Sequence, residues 1–223
     1  MNQNPQVVTR TRGASLEINK VLRNTYMLLS ATLLFSAATA AISMMIFTSP
    51  MVYLGSFIGA FALIWLVLPR TANSAAGIGV VFAITGLLGF GLGPVLNMYL
   101  AMSNGPQLIA TAMGGTGVIF LGLSGYVLTS RKDFSFMGGF LMVGFFVILL
   151  AAIANIFLAI PAMSLALSAG IILIMSGFIL YDTSRIIHGG ETNYIMATVG
   201  LYLSIYNIFI NLLHLLGALS GDD

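Results

Sequence analysis

Asp182 is the residue whose chemistry most needs explaining. It lies in Leu180-Tyr-Asp-Thr-Ser-Arg185, at the end of a long apolar run. A carboxylate at the centre of a bilayer costs about 2.5–3.5 kcal/mol on the insertion scale and less near the headgroups, so it persists most readily when paired. Two basic residues are candidate partners: Arg185, three residues on, and Arg70, at the end of another apolar run. Asp182, Arg70 and Arg185 thus form a candidate latch or gate. The competing reading is an interfacial salt bridge that fixes a helix end.

A second constellation lies near the end of the chain. Gly200, Ser204, Asn207, Asn211 and His214 recur at spacings of four, three, four and three, which is one face of a helix. Lipid penalises such a stripe, so it is expected to face other helices, through interhelical hydrogen bonds or along a hydrated path. Asn97 and Asn155 are further polar groups. Ser124 and His214 supply the residue types of a serine–histidine dyad, but opposite chain directions separate them by roughly 20 Å along the membrane normal, whereas a nucleophile and its base need about 3 Å. His188 and Glu191 provide two potential metal ligands without a third, which fits an interfacial loop better than a metal site. Without cysteine there is no thiol nucleophile and no cysteine metal site. The chain is expected to be no enzyme and to need no cofactor or metal.

The elements that must hold these residues follow from composition. The chain is 59% hydrophobic and 6% charged over 223 residues, with a mean hydropathy of +1.04. A soluble domain carries about 25% charged residues; a chain this poor in charge turns its outside to lipid. Seven apolar segments are read, about Tyr26–Phe47, Val52–Leu68, Ala75–Leu96, Leu108–Leu128, Phe136–Leu158, Ala162–Tyr181 and Ile195–Leu216. Each is long enough to cross about 30 Å of hydrocarbon, the second barely so, and backbone satisfaction in lipid makes them helices. Breaks are expected at Ser49-Pro50, Pro69, Asn104-Gly105-Pro106, Pro161 and Gly189-Gly190. Gly55 and Gly59 on the second helix, and Gly89 and Gly93 on the third, have the spacing that allows close helix packing or a flexible, broken helix.

The basic residues set the orientation. Arg10, Arg12, Lys20, Arg23, Arg70, Arg131, Lys132 and Arg185 all fall on one side, and the opposite connections are uncharged. The positive-inside rule places the N-terminus in the cytoplasm and the C-terminus outside. This pattern also argues against a nucleic-acid partner, despite the net charge of +2. The expected organisation is a polar cytoplasmic arm over 1–25, a transmembrane domain over 26–217 and a short external tail over 218–223. The arm reads as disordered and accessible to a partner, and not as a cleavable signal.

The stretch from Leu180 to Leu213, with Gly91-Leu-Gly-Pro94, Thr129-Ser-Arg-Lys-Asp-Phe-Ser-Phe136, Lys20-Val-Leu-Arg-Asn-Thr-Tyr26 and His188-Gly-Gly-Glu-Thr-Asn-Tyr194, resembles the Bax inhibitor-1 (transmembrane Bax inhibitor motif) family. The likeness runs from about residue 18 to the end. It implies an all-α, polytopic seven-helix bundle in the bacterial inner membrane and, for the bacterial branch, a modulator that restrains the membrane protease FtsH. The alternative it implies is a pH-sensitive calcium or cation leak, with passage of Ca2+ or H+, controlled by two aspartates and an arginine. Asp182 matches the first aspartate, Ser204 stands at the second, and the arginine falls at or beside Arg70. The pair is therefore incomplete, and one carboxylate facing a serine does not give the raised pKa of a shared proton.

Overall fold

The computed structural model describes the backbone of residues 5–46 and 49–220, with side chains from residue 16 onward. It is a bundle of seven long helices, with no strand among the described residues. We number them α1 (Pro5–Met45), α2 (Met51–Thr71), α3 (Ala76–Leu100), α4 (Gly105–Ser130), α5 (Gly138–Leu158), α6 (Pro161–Ile187) and α7 (Tyr194–Leu219). All seven are long and apolar enough to cross a membrane. The seven helices alternate in direction, so the start of α1 and the end of α7 lie at opposite ends of the bundle. The connections α2–α3, α4–α5 and α6–α7 share the basic end of the bundle, and the other three share the uncharged end.

The helices outrun the apolar segments from which they are read. The sequence expects disorder ahead of Tyr26, but the backbone is helical from Pro5. Residues 5–25 thus form a helical extension of α1 rather than an unstructured arm. The expected end of the first segment, Phe47, and the acidic tail residues Asp222 and Asp223 lie outside the described residues, as do the side chains of Arg10 and Arg12. Pro69 does not end α2. Proline lacks the N–H that would bond to Trp65, and the helix accommodates this with a π-type stretch over Leu63–Val67 before one more turn to Thr71. Pro94 is likewise carried inside α3.

α3 and α7 are the enclosed helices. The core runs along them through Val81, Ile84 and Leu88 of α3 and Leu201, Tyr202 and Ile205 of α7, closed by Leu29 of α1. α5 lies at the margin. Only Leu141 on it is buried, while Phe140, Phe146, Val147, Leu150, Ile156 and Phe157 are exposed, as lipid-facing side chains are.

The two glycine pairs behave differently. A Cβ at Gly89 would strike the backbone carbonyl of Ser36 and the hydroxyls of Ser36 and Thr39, and one at Gly93 would strike Ser43. α1 and α3 therefore touch backbone to backbone there. Gly55 has open space around it, and Gly59 has only ordinary contact with Leu87. The expectation of close packing holds for the third helix and fails for the second.

Candidate functional site

The last turns of α6 form the polar hub at the basic end. Asp182, Thr183 and Ser184 are consecutive, so their side chains leave the helix about 100° apart and reach different neighbours. Asp182 is half-buried and turned to α7. A Cβ at Gly200 would lie 3.0 Å from its Oδ2, so glycine at that position makes room for the carboxylate. Thr183 is fully buried; its hydroxyl lies 3.3 Å from Ser124 Oγ of α4 and 3.5 Å from the Tyr26 hydroxyl of α1. Ser184 Oγ accepts from the Phe134 N–H at 2.9 Å and donates to Asp133 Oδ1 at 3.3 Å. Three successive residues thus tie α6 to α7, to α4 and α1, and to the α4–α5 connection.

The residues of the expected latch are not joined by an ion pair in the structure. Neither Arg70 nor Arg185 reaches Asp182 at ion-pair distance. Arg185 instead pairs with Glu191 at 3.5 Å, donates to Gly190 O at 2.9 Å and lies over the Tyr181 ring. Gly189, with φ +74°, reverses the chain so that Glu191 comes back to Arg185. Arg70 donates to Leu66 O, one turn back on its own helix. Among the described residues Arg185–Glu191 is the only ion pair, and Asp182 has none.

The α7 stripe divides along its length. Gly200 receives Asp182, Ser204 is buried, and His214 Nδ1 lies 2.8 Å from Ser168 Oγ of α6. Asn207 and Asn211 turn back onto their own helix, donating to Leu203 O and Asn207 O at 2.8 Å each. Interhelical bonding therefore holds at the His214 end, and self-bonding explains the middle. Asn97 donates to Met44 O at 3.1 Å. Asn155 donates to Ser164 Oγ at 2.8 Å and accepts from the Ile160 N–H, closing the α5–α6 turn.

Ser124 and His214 have separate partners, Thr183 and Ser168, so no dyad forms between them. His188 and Glu191 also turn apart. Glu191 accepts from the Asn193 N–H, and His188 faces Ser184 and Arg131. No three His, Asp or Glu side chains converge among the described residues.

The main polar spine of α7 escaped the sequence reading. It lies on another face, through Thr198, Tyr202 and Tyr206. Thr198 Oγ1 donates to Tyr194 O of its own helix at 2.7 Å and lies 3.3 Å from Thr25 O of α1. Tyr202, 1% exposed, has its hydroxyl 2.6 Å from Ser36 Oγ and 3.3 Å from Thr85 O, and Tyr206 donates to Leu88 O at 3.4 Å. The available signal was the run Thr25, Thr32, Ser36, Ser43 on α1. Its spacings of seven, four and seven set hydroxyls on one helix face, and all four side chains are buried. At the basic end of α7, Asn193 caps the helix, accepting from the Ile195 and Met196 N–H groups. It also donates to Ala72 O and Asn73 Oδ1, which fixes the α2–α3 connection.

Outside the spans, Asp133 is held below the ordinary carboxylate range. Hydrogen bonds from Ser135 are the main cause, with smaller help from the charge of His188 and the Ser184 hydroxyl.

Seven apolar helices, joined by short connections and tied internally by hydroxyl bonds, define a multi-pass α-helical membrane protein. A model of the family described as inhibitor of apoptosis-promoting Bax1 matches residues 18–221, and the chain belongs to this Bax inhibitor-1 family. It is 54% identical to the Escherichia coli K12 protein named modulator of FtsH protease YccA, over 95% of each chain. It is 49% identical to a Vibrio cholerae protein described only as a membrane protein, over 99% of this chain and 100% of that one. A Pseudomonas aeruginosa protein without an assigned role is 50% identical over 93% of each chain.

Proposed function

We propose that this protein binds the FtsH protease in the bacterial inner membrane and restrains its attack on other membrane proteins, without itself being an enzyme. The observation that carries this reading is the 54% identity, over nearly the whole of both chains, to a protein named as a modulator of FtsH. The proposed orientation has the basic end in the cytoplasm, which the one-sided distribution of all eight Lys and Arg supports. The helical extension of α1 over residues 5–25 is then the cytoplasmic handle, and the bundle behind it is the body that a protease must extract. The test is the turnover of an unstable FtsH membrane substrate with and without overproduced protein, alongside an affinity pull-down in mild detergent. Slower turnover with FtsH in the pull-down is the expected result. Unchanged turnover and no FtsH would end the reading. Deleting residues 2–15 is expected to weaken engagement while the bundle still folds, since these residues precede the first span.

The second reading is a cation leak. It is favoured by Asp182, a half-buried carboxylate that is in no ion pair among the described residues. Ser204, where the family's second aspartate stands, weighs against a leak gated by a carboxylate pair. Cation flux in proteoliposomes, lost in Asp182→Asn, would favour this reading over the first.

A further inference from the structure

The uncharged end of the bundle carries a cavity, away from the hub at the basic end. It measures about 420 Å3 and lies where the end of α5, the start of α6 and the far part of α7 meet. Asn155, Ser164 and His214 supply its polar side chains, Ile156, Leu165 and Ala218 supply apolar walls, and no charged side chain lines it. Ile156 and Ala218 are exposed, so the cavity opens to the lipid around the bundle.

The polar groups are arranged as donors. Ser164 Oγ accepts from Asn155 Nδ2 at 2.8 Å, which leaves the serine hydrogen and the second amide hydrogen of Asn155 to donate. His214 Nδ1 lies 2.8 Å from the hydroxyl of Ser168, a buried residue that does not line the cavity. Donation from Ser168 satisfies both atoms and leaves the ring proton on Nε2, the nitrogen that Ser168 does not engage. Asn155 and Ser164 each lie three residues from a helix end and His214 lies five, about 4.5 and 7.5 Å along the axis. α7 exceeds the ~30 Å of hydrocarbon by about 9 Å, so these donors stand near the boundary of the apolar layer and not at its centre. Glycerophospholipids carry their ester carbonyls at that level.

We propose that this cavity holds one glycerophospholipid of the adjoining leaflet by its fatty-acyl ester carbonyls, which accept from Ser164, Asn155 and His214 while an acyl chain runs along the exposed face of α5. Carbonyl oxygens only accept, and they need no counter-charge. A headgroup phosphate seeks Arg or Lys, and the sequence sets all eight of these at the basic end. The headgroup is therefore left in water, and the site selects the ester linkage and not the headgroup. It is independent of the FtsH reading.

The chain has two histidines, so ring-15N labelling gives His214 as the reporter and His188, at the other end, as the internal control. The full-length protein, stripped of lipid in dodecyl maltoside, is titrated with dioleoyl phosphatidylglycerol, with dioleoyl phosphatidylethanolamine and with the dialkyl ether analogue of each. Both diesters should shift the His214 Nε2 signal saturably and with similar affinity, while His188 stays in place. The ethers lack the carbonyls and should bind at least about fivefold more weakly, the equivalent of one lost hydrogen bond. Ether analogues as effective as the diesters overturn the proposal, as does a His214 signal that moves for one headgroup only, moves together with His188 or does not move. Ala218→Phe provides a second arm: it places a ring in the cavity and leaves the three donors in the chain. It should abolish the saturable shift, and an unchanged titration in this variant also overturns the site.

Discussion

Replacing Gly89 by alanine adds one methyl group where α1 and α3 already touch. The new Cβ would meet Ser36 O, Thr39 Oγ1 and Ser36 Oγ, all nearer than real Cβ contacts come. The carbonyl cannot rotate away, so the helices must separate. Overpacking of this kind costs about 1–3 kcal/mol, and a backbone obstacle puts Gly89→Ala at the upper end. Separation also disturbs the Ser36–Tyr202 hydrogen bond, worth about 0.6 kcal/mol on average between membrane helices. Alanine's helix propensity returns at most about 1 kcal/mol. The net expectation is a loss of about 2–3 kcal/mol. Gly79→Ala is the internal control. It lies on the same helix, nothing stands within 4 Å of its Cβ, and it should be neutral or mildly stabilising. Equilibrium unfolding in mixed micelles measures both variants. A Gly89→Ala protein as stable as the parent, or a Gly79→Ala protein equally damaged, would refute the backbone-contact argument.

Tyr202→Phe should lower stability by about 0.6–1.7 kcal/mol in the same assay, since it removes the hydroxyl shared with Ser36 and Thr85. Asp133 is held below the ordinary aspartate value of about 3.9, so its stabilisation is full above that value and is lost as the pH falls through its lower folded value. Melting profiles of the parent and Asp133→Asn should therefore converge in acid and separate towards neutral pH. A double-mutant cycle should find coupling of at most about 1 kcal/mol between Arg185 and Glu191, an exposed-type pair. The cycle between Asp182 and Arg70 should be additive, and appreciable coupling there would restore the latch that the structure does not form.

The spans were legible because hydropathy reports what each helix gives to lipid, and that is a property of the segment alone. Partner choice was not, because it depends on what the neighbouring helix presents. Gly55/Gly59 and Gly89/Gly93 have identical spacing. Only the second pair meets Ser36, Thr39 and Ser43, small hydroxyl residues on α1 that let two backbones close. Arg185 is three residues from Asp182 and six from Glu191, and sequence distance favours the wrong partner. The turn at Gly189 reverses that preference by bringing Glu191 back, while Asp182 points across to Gly200. The helical run ahead of Tyr26 was hidden because its polar residues carry no hydropathy signal, although nothing in 6–25 breaks a helix that starts at Pro5 except one glycine, Gly13.

The distribution of polar groups bears on what the bundle can do. Along α1, α3 and α7 the hydroxyls of Tyr202 and Tyr206 end on a serine hydroxyl or on backbone carbonyls, so this interface is tied by bonds that need no charge. Among the described residues the acidic and histidine side chains lie towards its ends: Asp182, Asp133, His188 and Glu191 at the basic end, and His214 towards the other. A proton can therefore change the connections at the ends more readily than the packing between α1, α3 and α7. For a protein proposed to occupy a membrane protease, that separation is useful. The connections at the basic end can respond to conditions, while the part a protease must pull out of the bilayer keeps hydrogen bonds that lipid cannot replace.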